Sequence, residues 1–275
     1  MKIALIQQHA VRDKADNLRR GVEAFRQAAE AGARVIAFAE LGLSYFWPQF
    51  QDSSPYLQEA ESIPGPTTDV FTQLAKEYGV VTVINLFERE GSQTYDTSPV
   101  IDADGRILGV VRMIHIMEGL GFWEKGYYHP GNRDQLVFST AVGRLGVAIC
   151  YDRHFPEYMR ALALQQAELV VIPQAGAVGE WAPGIFEAEI QVAAFQNGYF
   201  AALVNRVGQE ELLNFAGGSF VVDPAGQVVA RAPEGEDFIL LVECDLSQVK
   251  EATARRFFLP DRRPDFYRHL KLIQD

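Results

Sequence analysis

The chain has 275 residues, 48% of them hydrophobic and 22% charged, with a formal net charge of -11. That is enough apolar material for one large core, and it is not the composition of a disordered chain. The acid excess argues against nucleic-acid phosphates or anionic lipid as partners, and the apolar runs fall short of the ~18 residues that a membrane span needs.

In chain order, Lys2–Gln7 reads as a first core strand, too short an apolar run for a signal peptide. Lys14–Ala31 repeats Leu18, Val22, Phe25 and Ala29 at helical spacing. Arg34–Glu40 is the near-continuous apolar run of a strand covered on both faces. Ser44–Gly65 reads as a long loop, Thr67–Tyr78 as a helix capped by Thr67 or Thr68, and Val80–Glu88 as a buried strand. A hairpin follows, Ser98–Asp102 and Ile107–Met113 about an Asp-Gly turn, and then a glycine- and aromatic-rich stretch. Gln135–Ser139 and Arg144–Cys150 read as strands, Glu157–Gln166 as a helix, Leu169–Pro173 as a strand, Phe186–Asn197 as a helix and Phe200–Arg206 as a strand. A second hairpin spans Ser219–Arg231, and Phe238–Asp245 and Leu246–Arg256 are a last strand and helix.

Strand–helix alternation with two inserted hairpins predicts two mixed sheets packed face to face with helices outside. No linker divides residues 1-275, so one domain is expected, with 257-275 as a tail docking at a subunit interface. Two cysteines, Cys150 and Cys244, do not make a disulfide framework and suit a reducing cytoplasm.

Three places invite chemistry. Cys150 stands between a strand and a helix whose first turn holds Pro156, which is the layout of a nucleophile elbow. Helix N–H groups there favour a thiolate, and the Tyr151 N–H faces a developing oxyanion. The alternative is a small core residue at a strand end. Glu40 closes an apolar strand, either as a general base or as a loop cap just beyond the core. His154, four residues after Cys150, offers a Cys–His dyad or a structural histidine. The five histidines have no metal-ligand spacing.

Taken together, several motifs resemble the nitrilase superfamily of carbon–nitrogen hydrolases. They are Phe38-Ala39-Glu40; Trp123-Glu124-Lys125 running to Pro130-Gly131; Ala148-Ile149-Cys150-Tyr151-Asp152 with Phe155-Pro156-Glu157; Gly217-Gly218-Ser219-Phe220 with Asp223-Pro224-Ala225-Gly226; and Ile63–Thr68. The tail Leu259–Tyr267 is similar to the N-carbamoylputrescine amidase-like branch. The resemblance implies an α-β-β-α sandwich of the nitrilase type that pairs into a four-layer dimer or a higher homo-oligomer. It implies no cofactor and no metal. Glu40 would be the base, Cys150 the nucleophile of a thioester route, Glu124 a second carboxylate and Tyr151 a backbone oxyanion donor. By the same analogy Tyr45, Trp47, Glu180 and Trp181 would rim the pocket of a small amide or carbamoyl substrate.

One position departs from the pattern. The family's lysine, two residues before a histidine, is Met113 here, and His115 supplies the register. A thioether neither carries charge nor donates a hydrogen bond. Arg112 is expected on the opposite face unless a bulge turns it inward, and Lys125 is a weak substitute. Two functions follow: a hydrolase cleaving a non-peptide C–N bond of a small linear amide or N-carbamoyl amine, or a catalytically silent binding or assembly protein.

Overall fold

A computed structural model describes residues 1–119 and 121–270. Lys2–Gln7 shows how the sequence builds the layers. Ile3 and Leu5 enter an apolar cluster between two sheets, while Ala4 and Ile6 enter another beneath the helices Lys14–Glu30 and Pro66–Tyr78. Period-two alternation with apolar residues on both faces therefore makes this an inner strand, and Val35–Phe38 divides its side chains the same way.

The first sheet runs in the order Phe238–Glu243, Lys2–Gln7, Val35–Phe38, Val81–Val83, Gln93–Ile101, Leu86–Glu90, with Ile107–Arg112 also paired to Gln93–Ile101. The second runs Val228–Arg231, Phe220–Val222, Phe200–Asn205, Leu169–Gln174, Gly143–Val147, Val137–Thr140. Each has a parallel centre of three strands, and a predicted hairpin lies in each. The helices Pro156–Leu164 and Ile185–Asn197 carry buried Leu162 and Ile190 into the main cluster, completing an α-β-β-α sandwich. Among the described residues no helix is long and apolar enough to cross a membrane.

The glycine motif at 217–220 joins the sheets. Gln7 Oε1 accepts from Ser219 N at 2.9 Å and from its hydroxyl at 2.8 Å, and Asn205 N donates to Ser219 Oγ at 2.9 Å.

Several boundaries differ from expectation. Val80–Glu88 is two strands, broken where Asn85 turns its side chain to the Leu41 N–H. The second helix begins at Pro66 behind Gly65, and Thr68 bonds back to Gly65 instead of preceding the helix as a cap. Leu246–Arg256 is a short helix, Ser247–Glu251, and then a wider turn, Ala254–Phe258, because Arg255 donates to carbonyls of Gly198, Ala163 and Ala167. The long loop holds two short 3-10 turns, and the ribbon Val207–Gln209 with Asn214–Ala216 was not foreseen. Of the tail, residues 271–275 lie outside the described residues.

Candidate active site

Glu40 follows the strand Val35–Phe38 on a backbone held from two sides. Leu41 has φ +44°, an unfavourable conformation for a branched side chain. Its N–H donates to Asn85 Oδ1 at 2.8 Å. The buried Arg206, paired with Glu210, donates to the Glu40 carbonyl at 3.0 Å and to the Leu41 carbonyl. The Glu40 side chain is thereby fixed with 0% of the residue exposed.

Cys150 lies three residues beyond the end of its strand, not on the strand's last position as read from the sequence. The strand ends at Val147, and Cys150 opens the turn Cys150–His154, with Pro156 starting the helix. Its φ is +42°, a strain of about 1–3 kcal/mol that persists only where surroundings enforce it. Arg153 enforces it here, donating to the Cys150 carbonyl at 3.0 Å and to Gln174 Oε1 at 2.6 Å. Asp152 accepts from Ile114 N and His115 N and meets His115 Nδ1 at 2.7 Å, tying the elbow to the segment after Met113. His154 is turned to Glu189 at 2.7 Å, so it is not poised as the partner of the thiol.

Glu124 opens a third turn, Glu124–Gly126, and accepts from Met117 N at 3.1 Å. A donor atom from each of Glu40, Glu124 and Cys150 lies within 4.8 Å of the others, the tightest such grouping of acids and thiols among the described residues. The Glu180 carboxylate accepts from Ala177 N at 3.0 Å, and its charge is felt at Glu124. Glu180 and Trp181 line a neighbouring cavity of about 300 Å³. Tyr45 and Trp47 line a different cleft, with Arg12, Lys14 and Glu61. There Trp47 stacks on Tyr56 and Tyr45 accepts from Glu211 N, so the trio is not among that cleft's walls.

Met113, directly after the strand Ile107–Arg112, is wholly buried in the apolar cluster that also holds Cys150. Its N–H donates to the Asp96 carbonyl at 2.9 Å. Strand alternation puts Arg112 on the other face, where it holds Glu88 at 2.6 and 2.8 Å and Glu90 at 3.0 Å and covers the Tyr95 ring. No bulge turns it inward, and Lys125 is exposed. Among the described residues no lysine or arginine bonds to the carboxyl of Glu40, Asp96 or Glu124.

Asp96, which the sequence reading did not single out, is fully buried against Glu40. Burial, then the Asp96 and Glu124 charges, pushes Glu40 well above the usual carboxylate range. Burial and the charges of Glu40 and Glu124 push the Cys150 thiol up as well, with Arg153 acting weakly the other way. The resting thiol is therefore protonated, against the expectation of a helix-stabilised thiolate, and needs a base at the moment of attack.

Three chain-distant turns thus bring two carboxyls and one sulfur together, and the chain as a whole has relatives. The carbon–nitrogen hydrolase family matches residues 2–254. N-carbamoylputrescine amidase of Solanum lycopersicum is 34% identical, over 98% of this chain and 94% of the relative. A carbon–nitrogen hydrolase from Helicobacter pylori G27 superposes with a TM-score of 0.88 at 28% identity, over 98% of each chain. A variant of the amidase from Nesterenkonia sp. AN1, showing covalent addition of the acetamide moiety of fluoroacetamide at the active site cysteine, superposes with a TM-score of 0.82 at 29% identity, over 98% of this chain and 96% of that one. The chain belongs to the carbon–nitrogen hydrolase family and is a hydrolase of its amidase type.

Proposed function

We propose that this enzyme cleaves the C–N bond of a small linear amide or N-carbamoyl amine through a thioester on Cys150. The observation that carries the reading is the buried Glu40–Glu124–Cys150 cluster on a strained, clamped elbow. Glu40 takes the thiol proton, and the sulfur attacks the carbonyl or carbamoyl carbon. The Tyr151 N–H bonds the oxyanion, ammonia or an amine leaves with the proton from Glu40, and water then enters to hydrolyse the thioester. Glu124 orients the substrate nitrogen or the water. Glu180 and Trp181 shape the approach. Met113 supplies neither charge nor donor, so the reaction runs with one oxyanion donor fewer than the family pattern, at a cost of about 2.7–4 kcal/mol in the barrier. A reducing cytoplasm suits a mechanism that needs a free thiol.

The test is ammonia release from a panel of short amides and N-carbamoyl amines, with mass spectrometry for an acyl or carbamoyl adduct on Cys150. Turnover that survives Cys150→Ala removes the thioester route. No turnover on any member, with a thiol inert to iodoacetamide, returns the chain to the binding-protein reading.

We also infer a homodimer built on the helices outside the second sheet. Leu164, Ile185, Val192, Phe195, Phe257 and Phe258 are exposed there, and Phe195 packs edge-on against Phe258 at 5.5 Å, joining helix to tail. Sedimentation of Val192→Asp should give monomers if this face is the interface.

A further inference from the structure

Buried Glu88 and Glu210 are answered by arginine, whereas Glu40 and Asp96 are not. The hydrogen bonds around Asp96 fix what each of its oxygens does. Leu41 N–H donates to Asn85 Oδ1, which sets the orientation of that amide. Asn85 Nδ2 therefore points the other way and donates to Asp96 Oδ1 at 2.5 Å and to Ser98 Oγ at 3.1 Å. Asp96 Oδ1 is an acceptor. Asp96 Oδ2 is buried with no donor, and neither oxygen of Glu40 has one. What these atoms face is each other, and Glu40 also faces the Cys150 thiol. A contact between two carboxyls is a hydrogen bond only when one holds a proton, and two adjacent buried carboxylates do not both ionise.

Among the described residues no lysine or arginine bonds either carboxyl. Met113, whose N–H bonds the Asp96 carbonyl, is neutral. Arg112 is spent on Glu88 and Glu90, Arg206 on Glu210 and backbone carbonyls, and Arg153 on the elbow. The other titratable groups in the field of this pair are Cys150, Glu124, Asp152 with its partner His115, and Tyr128.

We propose that Glu40 and Asp96 hold one proton between them and act as a single monoanionic base, with Asp96 the positioning residue that completes it in the absence of the lysine. This rests on the thioester reading above. The Cys150 S–H bond breaks as the S–C bond forms, and the thiol proton is taken up by the pair, which becomes neutral. It is returned to the leaving nitrogen when the C–N bond breaks. Which of the two oxygens carries the shared proton does not matter to this balance.

Burial pushes Asp96 up to about 7, opposed by its bonds to Glu40 and Asn85. The folded value lies above the unfolded one. The pair's contribution to stability is therefore full below the ordinary aspartate range and is lost as pH rises through about 7.

Asp96→Asn is the test, because an amide keeps the acceptor toward Asn85 and offers Glu40 a permanent N–H donor. The expected enzyme keeps activity within about ten-fold of the parent at the parent's optimum, and the parent's acid limb near neutrality, where the pair loses its first proton and becomes the base, is absent from its pH profile. Its melting temperature should also fall less than the parent's between pH 6 and pH 8, an interval of about one unit on either side of that value. Asp96→Leu, which leaves the Asn85 amide and Glu40 unanswered, should lose about 100-fold or more. The melting comparison needs no turnover, so it separates failure of this proposal from failure of the hydrolase reading. Loss of about 100-fold in a folded Asp96→Asn would mean that Asp96 works ionised. Equal pH slopes of melting in the two proteins would overturn the shared proton. So would zinc chloride raising the melting temperature of the parent and not of Asp96→Asn, because a cation would then be balancing the pair.

Discussion

Two buried acidic sites lie on opposite faces of the same pair of strands. On one face Glu88 is held by Arg112 through two bonds, with Thr97 donating a third. On the other, Asp96 and Glu40 meet across from Met113, with Asn85 as the donor to Asp96. The first is a saturated ion pair whose work is structural. The second is under-satisfied, so its carboxyls stay basic and ready to take a proton from Cys150. A single position in the alternation, Arg112 against Met113, separates the two.

The largest expected effect falls on the reactive face. Cys150→Ala should lower turnover by on the order of 10⁴–10⁶-fold, because it removes the attacking atom of the thioester route. Its melting temperature should change little, and steady-state ammonia release with a melting curve checks both. On the structural face, Arg112→Met should leave activity secondary to a stability loss of about 3–5 kcal/mol, since Glu88 would be stranded in the core. Denaturant unfolding reads that loss. Replacing Glu88 as well, as Glu88→Met with Arg112→Met, should recover most of it if the pair is a balanced unit.

Met113→Lys would make the reactive face resemble the structural one. The new ammonium would sit beside Asp96 and Glu40, draw their carboxyls down toward the ordinary range, and add an oxyanion donor. The expected gain in kcat is about 10²–10³-fold, with the acid limb of the pH profile moved to lower pH. A fall in kcat would show that the hollow is tuned to a neutral occupant at this position and that the donor is supplied elsewhere.

These sites were unequally legible. Glu40 and Cys150 could be read because each breaks a pattern, a charge or a thiol closing an apolar strand beside a turn. Glu124 could not be read from the chain without the family resemblance, since nothing local marks it. Asp96 was missed for a specific reason. The hairpin strand was begun at Ser98, but it starts at Gln93, so Asp96 was not assigned a face. With the true start, alternation places it with Met113 and opposite Arg112 and Glu88. Arg206 was read as a strand end. Its clamp on Glu40 and Leu41 joins residues more than 160 positions apart, and only the packing of the two sheets brings them together. Tyr45 and Trp47 were read as pocket walls because aromatic residues follow Glu40 directly, yet Trp47 stacks on Tyr56, Tyr45 packs against Trp47, and both lie beneath Arg12.

The smallest effect distinguishes two adjacent tyrosines, Tyr127 and Tyr128, the second of which lies beside the reactive carboxyls. The Tyr127 hydroxyl donates to the Phe50 carbonyl at 3.0 Å, whereas the Tyr128 hydroxyl is buried with no partner. Tyr128 lies in the field of Asp96, Glu40 and Glu124, which with burial holds its phenol well above the usual range and therefore protonated. Tyr127→Phe removes a bond that is made and should cost about 0.5–1.5 kcal/mol of stability. Tyr128→Phe removes a donor that nothing in the protein accepts, and should be neutral or stabilising by about 1 kcal/mol, because the desolvation of an idle hydroxyl is no longer borne. Unfolding curves for the two variants separate the cases. If Tyr128→Phe is instead the costlier change, or raises KM while leaving stability intact, the hydroxyl is a donor to the carboxyl pair or to bound substrate, and the reactive face is better satisfied than its arginine-free lining implies.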